Sequence, residues 1–182
     1  MNFVDYTSLN IVIEYIQNYK SSIEKKYPEL SKQTIEIETD NENVLPKTEP
    51  MVTVIPEEID SIHCVRILVN INYSGVTGNL NNRFNKEELF ALLSHEIGHV
   101  VASINGKASS DNAEEVYADN CAFELGLGAP MIEAIKKMKE DYNYSPNSYF
   151  NSLPGLNKYS TGEMDKRIVE LEKLTTITDA TM

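Results

Sequence analysis

Residues 85–99 read NKEELFALLSHEIGH, and this stretch decides both the predicted fold and the predicted chemistry. Asn85, with Glu88 three positions later and apolar residues after it, has the pattern of a helix capping box. The apolar spacing predicts one helix from about Lys86 to Ile104, which Asn105-Gly106 should end. The last five residues of the stretch place the pattern H-E-x-x-H on that helix.

The H-E-x-x-H pattern predicts a metal site. Residues four positions apart lie on one face of a helix, so His95 and His99 can bind the same ion. Glu96 lies one step round the helix, where it can reach a metal-bound water as a general base. His63 stands upstream on a separate predicted strand and is not expected to be a ligand. The sequence therefore predicts a Zn²⁺ cofactor held by the two histidines of the pattern.

A third metal ligand is needed, because catalytic zinc usually has three protein ligands. The next predicted helix opens with a second capping pattern at residues 111–114 and should end near Leu125. Glu115 and Asp119 lie one turn apart on one of its faces. We predict that Glu115 ligates and that Asp119 accepts the second ring N–H of a metal-bound histidine. Glu114 is the competing acid, but it occupies the capping position and points about 100° away from Glu115.

The remaining elements follow from hydrophobic spacing and turn signals. They are, in chain order, a helix over 9–23 that ends before Pro28, a strand over 35–38, strands over 51–55 and 62–73, a helix over 130–140 and a helix over 163–174. Residues 39–50 read as an acidic linker, and residues 141–161 as a long loop. The strand over 62–73 is expected to offer a sheet edge to an extended peptide.

Composition excludes some partners. The chain has 182 residues, with 28 acidic against 16 basic side chains and a net charge of −12. This charge disfavours nucleic acid as a partner. No apolar stretch approaches the roughly 20 residues that span a bilayer, and the N-terminus does not read as a signal peptide. We therefore expect no membrane span and a cytoplasmic location. The sequence does not indicate an oligomeric state.

The run over 85–99, followed by Glu115-x-x-Ala118-Asp119, resembles the gluzincin metallopeptidases, in particular the HtpX heat-shock protease and CAAX prenyl endopeptidase family. Arg167-Ile168 adds a fainter similarity. The same motifs are similar to the phage-type ImmA/IrrE peptidases, which are small and carry no membrane helices. The resemblance implies a zinc endopeptidase that acts on a protein or peptide substrate. In that mechanism zinc lowers the pKa of its water, and Glu96 takes the proton.

The expected fold class is α+β. It is a small zincin-like metallopeptidase domain, in which a short sheet packs on the H-E-x-x-H helix and on a following helix that bears the third ligand. We place this domain at residues 49–175. Residues 1–48 form an N-terminal helix and acidic linker, part of the core or appended to it, and residues 176–182 form a tail.

The developing oxyanion of such a reaction needs a further donor, and no histidine follows His99. The sequence leaves five candidates open, which are Tyr142, Tyr144, Tyr149, Tyr159 and Arg167. A tyrosine-rich loop that closes over an apolar groove would have the same composition, so the pattern does not choose among them.

Two other function classes stay open. The chain could be a non-catalytic zinc-containing regulatory or binding module that acts through protein–protein contacts. A Glu96→Gln variant that keeps its full biological effect would favour this reading over catalysis. The chain could also be a plain helical protein with a coincidental motif, in which case a chelator would not change its melting temperature.

Overall fold

The computed structural model describes residues 1–7, 9–42, 44–45, 49–54, 64–76, 79–107, 112–144 and 161–179. These residues form a mixed α+β structure with four strands and six α-helices. The strands are β1 (Asn2–Asp5), β2 (Thr34–Thr39), β3 (Met51–Val54) and β4 (Cys64–Val69). The helices are α1 (Asn10–Lys26), α2 (Leu80–Arg83), α3 (Lys86–Ile104), α4 (Asn112–Glu124), α5 (Gly128–Tyr144) and α6 (Thr161–Asp179), with a 3-10 turn over Pro28–Lys32 after α1.

The sheet has the strand order β1-β2-β4-β3. Strands β1, β2 and β4 are parallel, and β3 pairs antiparallel with β4. Alternation along β2 and β4 buries Ile35, Ile37, Val65 and Ile67 in the common hydrophobic core. Helix α1 connects β1 to β2 and contacts α3, which also contacts β3. Strands β1 and β2 precede the predicted domain start at residue 49, and they share one sheet with β3 and β4, which follow it. The predicted domain limits stay a prediction.

Helix α3 is the central element of the helical part. Of its residues from Glu88 to Val101, only His99 is more than marginally exposed. Its most extensive neighbour is α4, and it also contacts α5. A helix that is buried on nearly all sides has little free surface, so its polar side chains must find partners inside the protein.

The predicted strand over 62–73 is wrong in its extent and in its role. Strand β4 ends at Val69, because the Asn70 side chain accepts a hydrogen bond from the backbone N–H of Asn72 at 3.0 Å and turns the chain. Residues 62 and 63, including His63, lie outside the described residues. Moreover, β4 lies between β2 and β3, so both its edges are paired. The strand beside α3 that has an unpaired edge in the described sheet is β3.

The predicted loop over 141–161 is wrong for its first four residues, which complete α5. Asp141 is 1% exposed, and three groups donate hydrogen bonds to its buried carboxylate. They are the Tyr73 hydroxyl, the Arg83 Nε at 2.9 Å and the backbone N–H of Val76 at 2.7 Å. This buried cluster ties the end of α5 to the turn that follows β4, and Asp141 therefore serves the core rather than a loop.

Part of the predicted acidic linker forms a turn that a buried carboxylate holds. The carboxylate of Asp40 is buried and accepts the backbone N–H groups of Val44 at 3.0 Å and Leu45 at 2.8 Å. Asp40 therefore holds a turn directly after β2, where it satisfies backbone donors that the sheet does not pair.

Among the described residues, no helix is long and apolar enough to cross a bilayer.

Candidate metal centre

The predicted capping box fixes the start of α3. The Asn85 side chain accepts the backbone N–H of Glu88 at 2.9 Å, and the Glu88 carboxylate accepts the backbone N–H of Asn85 at 2.8 Å. Lys137 on α5 also donates to Glu88. The helix then runs without interruption through the H-E-x-x-H residues to Ile104, where Gly106, with φ of 63°, permits the chain to leave the helix.

Gly98 lets α4 approach α3 closely enough to complete the site. A Cβ atom built on Gly98 would lie 2.5 Å from the Cα of Ala118. Only a residue without a side chain fits there, because a contact of this length between carbon atoms is strongly repulsive. The close crossing brings the acids of α4, which flank Ala118 in sequence, against the two histidines of α3.

The structure brings His95, His99 and Glu115 together around one point. The Nε2 atoms of the two histidines are 3.1 Å apart. The Glu115 carboxylate oxygens lie 3.5 Å from Nε2 of His95 and 3.6 Å from Nε2 of His99. Three ligands about 2.1 Å from a tetrahedral ion would be about 3.4 Å from one another. The distance of 3.5 Å involves Oε2 of Glu115 and that of 3.6 Å involves Oε1, and each is close to this value.

Each histidine has a carboxylate partner behind it. Nδ1 of His95 lies 2.8 Å from Asp119, and Nδ1 of His99 lies 2.8 Å from Glu114. Because an ionised carboxylate only accepts hydrogen bonds, both Nδ1 atoms carry the proton. With the proton on Nδ1, each ring can present its Nε2 lone pair to a cation that lies between the two rings.

The sequence predicts that Glu114 caps α4, and in the structure its Oε1 atom pairs with Nδ1 of His99. Asp111, the other half of that capping pattern, lies outside the described residues. The pairing has a simple geometric origin. Helices α3 and α4 bring His95 to Asp119, so the histidine one turn later on α3 meets an acid about one turn earlier on α4. This relation could have been read from the sequence once the two helices were taken as antiparallel.

The surroundings favour a positive charge at His95. Burial by itself lowers the pKa of His95, but its hydrogen bonds with Asp119 and Glu115 raise that pKa to about 10 in the metal-free protein. Burial alone raises the pKa of Asp119, but the charge and hydrogen bonds of Arg167 outweigh burial and lower it. A cation between the histidines would meet the same carboxylates that stabilise the proton.

Glu96 lies beside the site and is 5% exposed. Its Oε2 atom accepts a hydrogen bond from the Thr53 hydroxyl at 2.7 Å, and the same hydroxyl lies 3.0 Å from the Glu96 carbonyl oxygen. Thr53 belongs to β3. No motif marks Thr53 in the sequence, since its role depends on the way the sheet packs on α3.

The five residues predicted to stabilise an oxyanion have different positions. Arg167 lines the cavity at the site, where its guanidinium contacts Glu115 and Asp119. Tyr142 is partly buried against the hydrophobic core and is not among the described residues that line the cavity. Tyr144 is the last residue of α5. Tyr149 and Tyr159 lie outside the described residues. The assignment of an oxyanion donor stays a prediction.

One cavity opens at the three prospective ligands. Its walls combine acids, apolar side chains and one hydroxyl, namely Glu49, Glu96, Leu92, Met131, Met138 and Thr53. Metal ions bind donor sets of two imidazoles and one carboxylate. All three residues line the cavity, so a further ligand could reach the ion from that side. The residues present therefore fit a metal ion.

The chain matches no family model, no curated protein and no solved structure.

Proposed function

We propose that the chain is a zinc-dependent endopeptidase. In this proposal His95, His99 and Glu115 hold the ion, and Glu96 is the general base. The observation that carries it is the convergence of the three prospective ligands within 4.8 Å of one another, on the wall of a cavity that Glu96 also lines. Two imidazoles and a carboxylate are the donor set of several catalytic zinc sites, whereas structural zinc sites usually contain cysteine.

Bound zinc would supply an activated water and a Lewis acid for a substrate carbonyl. Glu96 would accept a proton from that water and pass it to the leaving amine. The Oε2 atom of Glu96 is held by Thr53, so we assign the proton transfer to Oε1. Asp119 and Glu114 keep the imidazole rings in the tautomer that presents Nε2 to the cavity.

The substrate would be bound as an extended peptide along β3. Among the strands that the structure describes, β3 is the outermost beside α3, and its residues Met51, Val52 and Thr53 line the cavity. An added strand would satisfy the backbone groups on the edge of β3 that no described strand pairs. We therefore expect the peptide to pair with β3 and not with the strand predicted over 62–73.

Metal content and cleavage test this proposal together. Zinc would be measured by elemental mass spectrometry in the wild type and in His95→Ala and Glu115→Ala variants. We expect about one zinc per chain in the wild type and strongly reduced zinc in both variants. Peptide-library cleavage would then be compared between the wild type and Glu96→Gln.

Glu96→Gln is the informative variant, because it should keep zinc and lose cleavage by about a thousandfold or more. A wild type that folds without binding zinc would overturn the proposal. Zinc binding with equal cleavage by the wild type and Glu96→Gln would remove the assigned role of Glu96. If zinc binds and no peptide in the library is cleaved by either protein, the non-catalytic zinc module is the better reading.

A further inference from the structure

We infer that Arg167 on α6 is a positioning residue of the metal centre, which holds the ligand Glu115 and the histidine partner Asp119 in place with one guanidinium group. The inference rests on the proposed metal site. Nε and Nη2 of Arg167 donate to the two oxygens of Asp119 at 2.7 Å and 2.8 Å. Nη1 lies 3.0 Å from Oε2 of Glu115. The side chain is 2% exposed.

The planar guanidinium suits this task. It fixes the Asp119 carboxylate by two parallel hydrogen bonds and reaches Glu115 with its remaining edge. A carboxylate held in this way cannot rotate freely, and Asp119 in turn accepts from Nδ1 of His95. Arg167 thus acts on two of the three prospective ligands, on Glu115 directly and on His95 through Asp119.

Charge balance supports the same role. Glu115 and Asp119 are one turn apart on α4 and are 3% and 1% exposed, so water screens their mutual repulsion poorly. Arg167 is the cation that contacts both carboxylates among the described residues. A guanidinium in contact with both carboxylates offsets their mutual repulsion, so the two acids can stay close together beside the histidines.

Helix α6 carries Arg167 to the site in a fixed position. Met164, Ile168 and Leu171 of this helix are buried in the common core, and α6 contacts both α4 and α5. Arg167 lies on the same buried side, between Met164 and Ile168. The docking of α6 therefore sets the position of the guanidinium, and α6 becomes part of the metal centre although it supplies none of the three prospective ligands.

The experiment measures zinc affinity in the full chain by competition with a chelator. Arg167→Lys is the primary variant, because it keeps a buried cation and the apolar stem but cannot contact both carboxylates in the same geometry. We expect its zinc affinity to fall by about tenfold, and that of Arg167→Met by up to about a hundredfold. Lys166→Met is the control, since Lys166 is 70% exposed and pairs with Glu163 on its own helix.

A second readout separates positioning from a purely structural role. Cobalt(II) replaces zinc in such sites, and its visible absorption reports coordination geometry. We expect altered cobalt bands in Arg167→Lys and unchanged bands in Lys166→Met. The melting temperature of each metal-free variant shows whether it is folded.

The outcomes are distinct. Failure of the wild type to bind zinc would overturn the proposed function. Wild-type binding together with a folded Arg167→Lys variant of unchanged affinity and unchanged cobalt spectrum would overturn this inference and leave the proposed function intact. Should Arg167→Met fail to fold, Arg167→Lys decides alone.

Discussion

The hydroxyl of Thr53 lies 2.7 Å from Oε2 of Glu96 and joins the outermost strand of the sheet to the residue proposed as the general base. Thr53 is on β3 and Glu96 is on α3, and 43 positions separate them in the chain. A single hydrogen bond to a carboxylate contributes on the order of 1.5–3 kcal/mol when the acceptor is charged. The contact therefore has a measurable consequence for the orientation of Glu96.

Replacing Thr53 by Val should slow peptide cleavage. Val keeps the shape and the β-branched stem of Thr but cannot donate, so the Glu96 carboxylate loses its fixed orientation. We expect kcat to fall about tenfold with KM and zinc content nearly unchanged. Thr53→Ser is the matched control and should keep most of the activity, because it retains the hydroxyl. Equal kcat in the Val variant and the wild type would show that this hydrogen bond does not orient Glu96 for catalysis.

Removing the charge behind His99 should weaken zinc binding. In Glu114→Gln the amide oxygen can still accept from Nδ1, but the negative charge that makes the ring a better ligand is lost. We expect zinc affinity to fall about tenfold, measured by chelator competition. Glu133→Gln on the exposed side of α5 is the control, since its carboxylate pairs with Lys136 at the surface. Identical affinities for the two variants would contradict the role given to Glu114.

Gly98→Ala should destabilise the protein through the contact of α3 with α4. The added Cβ would meet backbone atoms of Ala118 at 2.5–3.1 Å, and backbone cannot move aside as a flexible side chain can. We expect a loss of about 2–4 kcal/mol in the free energy of unfolding, together with reduced zinc binding. Urea denaturation in the presence of a chelator measures the first effect alone.

Gly162→Ala is the matched substitution, because no atom of the described residues lies within 4 Å of a Cβ built at this position in α6. There the gain in helix propensity should leave stability unchanged or raise it by up to about 1 kcal/mol. A Gly98→Ala protein as stable as Gly162→Ala would show that α3 and α4 can separate without cost.

Asp141→Asn should be costly, whereas Asp165→Asn should not. Asp141 is buried and pairs with Arg83, whose side chain is 7% exposed. Its loss of charge would leave the guanidinium with Glu140, whose side chain is 66% exposed, as its acidic partner, and the Asn amide would present donors to donors. We expect a loss of about 3 kcal/mol in the free energy of unfolding for Asp141→Asn.

Asp165 pairs with Lys139 but is 56% exposed, so its replacement should change the free energy of unfolding by less than about 0.5 kcal/mol. Urea titration of each variant would measure its free energy of unfolding. Similar losses for the two variants would mean that the Asp141 cluster does not hold the end of α5.

The two free cysteines, Cys64 and Cys121, should react slowly with alkylating reagents at pH 8. Burial and nearby carboxylates raise the pKa of each thiol to about 11. A raised thiol pKa disfavours the reactive thiolate, so its fraction at pH 8 is about 0.1%, against about 10% for a thiol of pKa 9.

The rate constant for Cys64, which is only half-buried, should therefore rise about tenfold per pH unit between pH 8 and pH 10. Alkylation followed by peptide mass mapping measures this. The urea-unfolded chain is the reference and should react about a hundredfold faster at pH 8. A rate for the native protein that levels off below pH 10 would contradict the raised pKa.

Local sequence determined the bounds of α3 and the spacing of the site residues along α3 and α4. The capping residues, the apolar spacing and the glycine at the end define α3, because each acts within a few positions of the chain. The same locality places His95 and His99 on one face and puts Glu115 and Asp119 one turn apart on α4. These relations follow from helix geometry alone, so each pair of residues could be predicted from the sequence. The meeting of the two pairs depends on the close approach of α3 and α4 at Gly98 and Ala118.

Tertiary structure decided the partners of those residues and the strand beside them. Thr53 meets Glu96, Glu114 meets His99, and Arg167 meets Glu115 and Asp119 only because separate elements cross at α3 and α4. No fixed spacing in the chain encodes such crossings. Likewise, β4 and β3 both read as strands, but which of them is an edge depends on the order of strands in the sheet. Hydrophobic pattern shows which side of a strand is buried; it does not show which neighbours it has, because pairing joins segments that are distant in sequence.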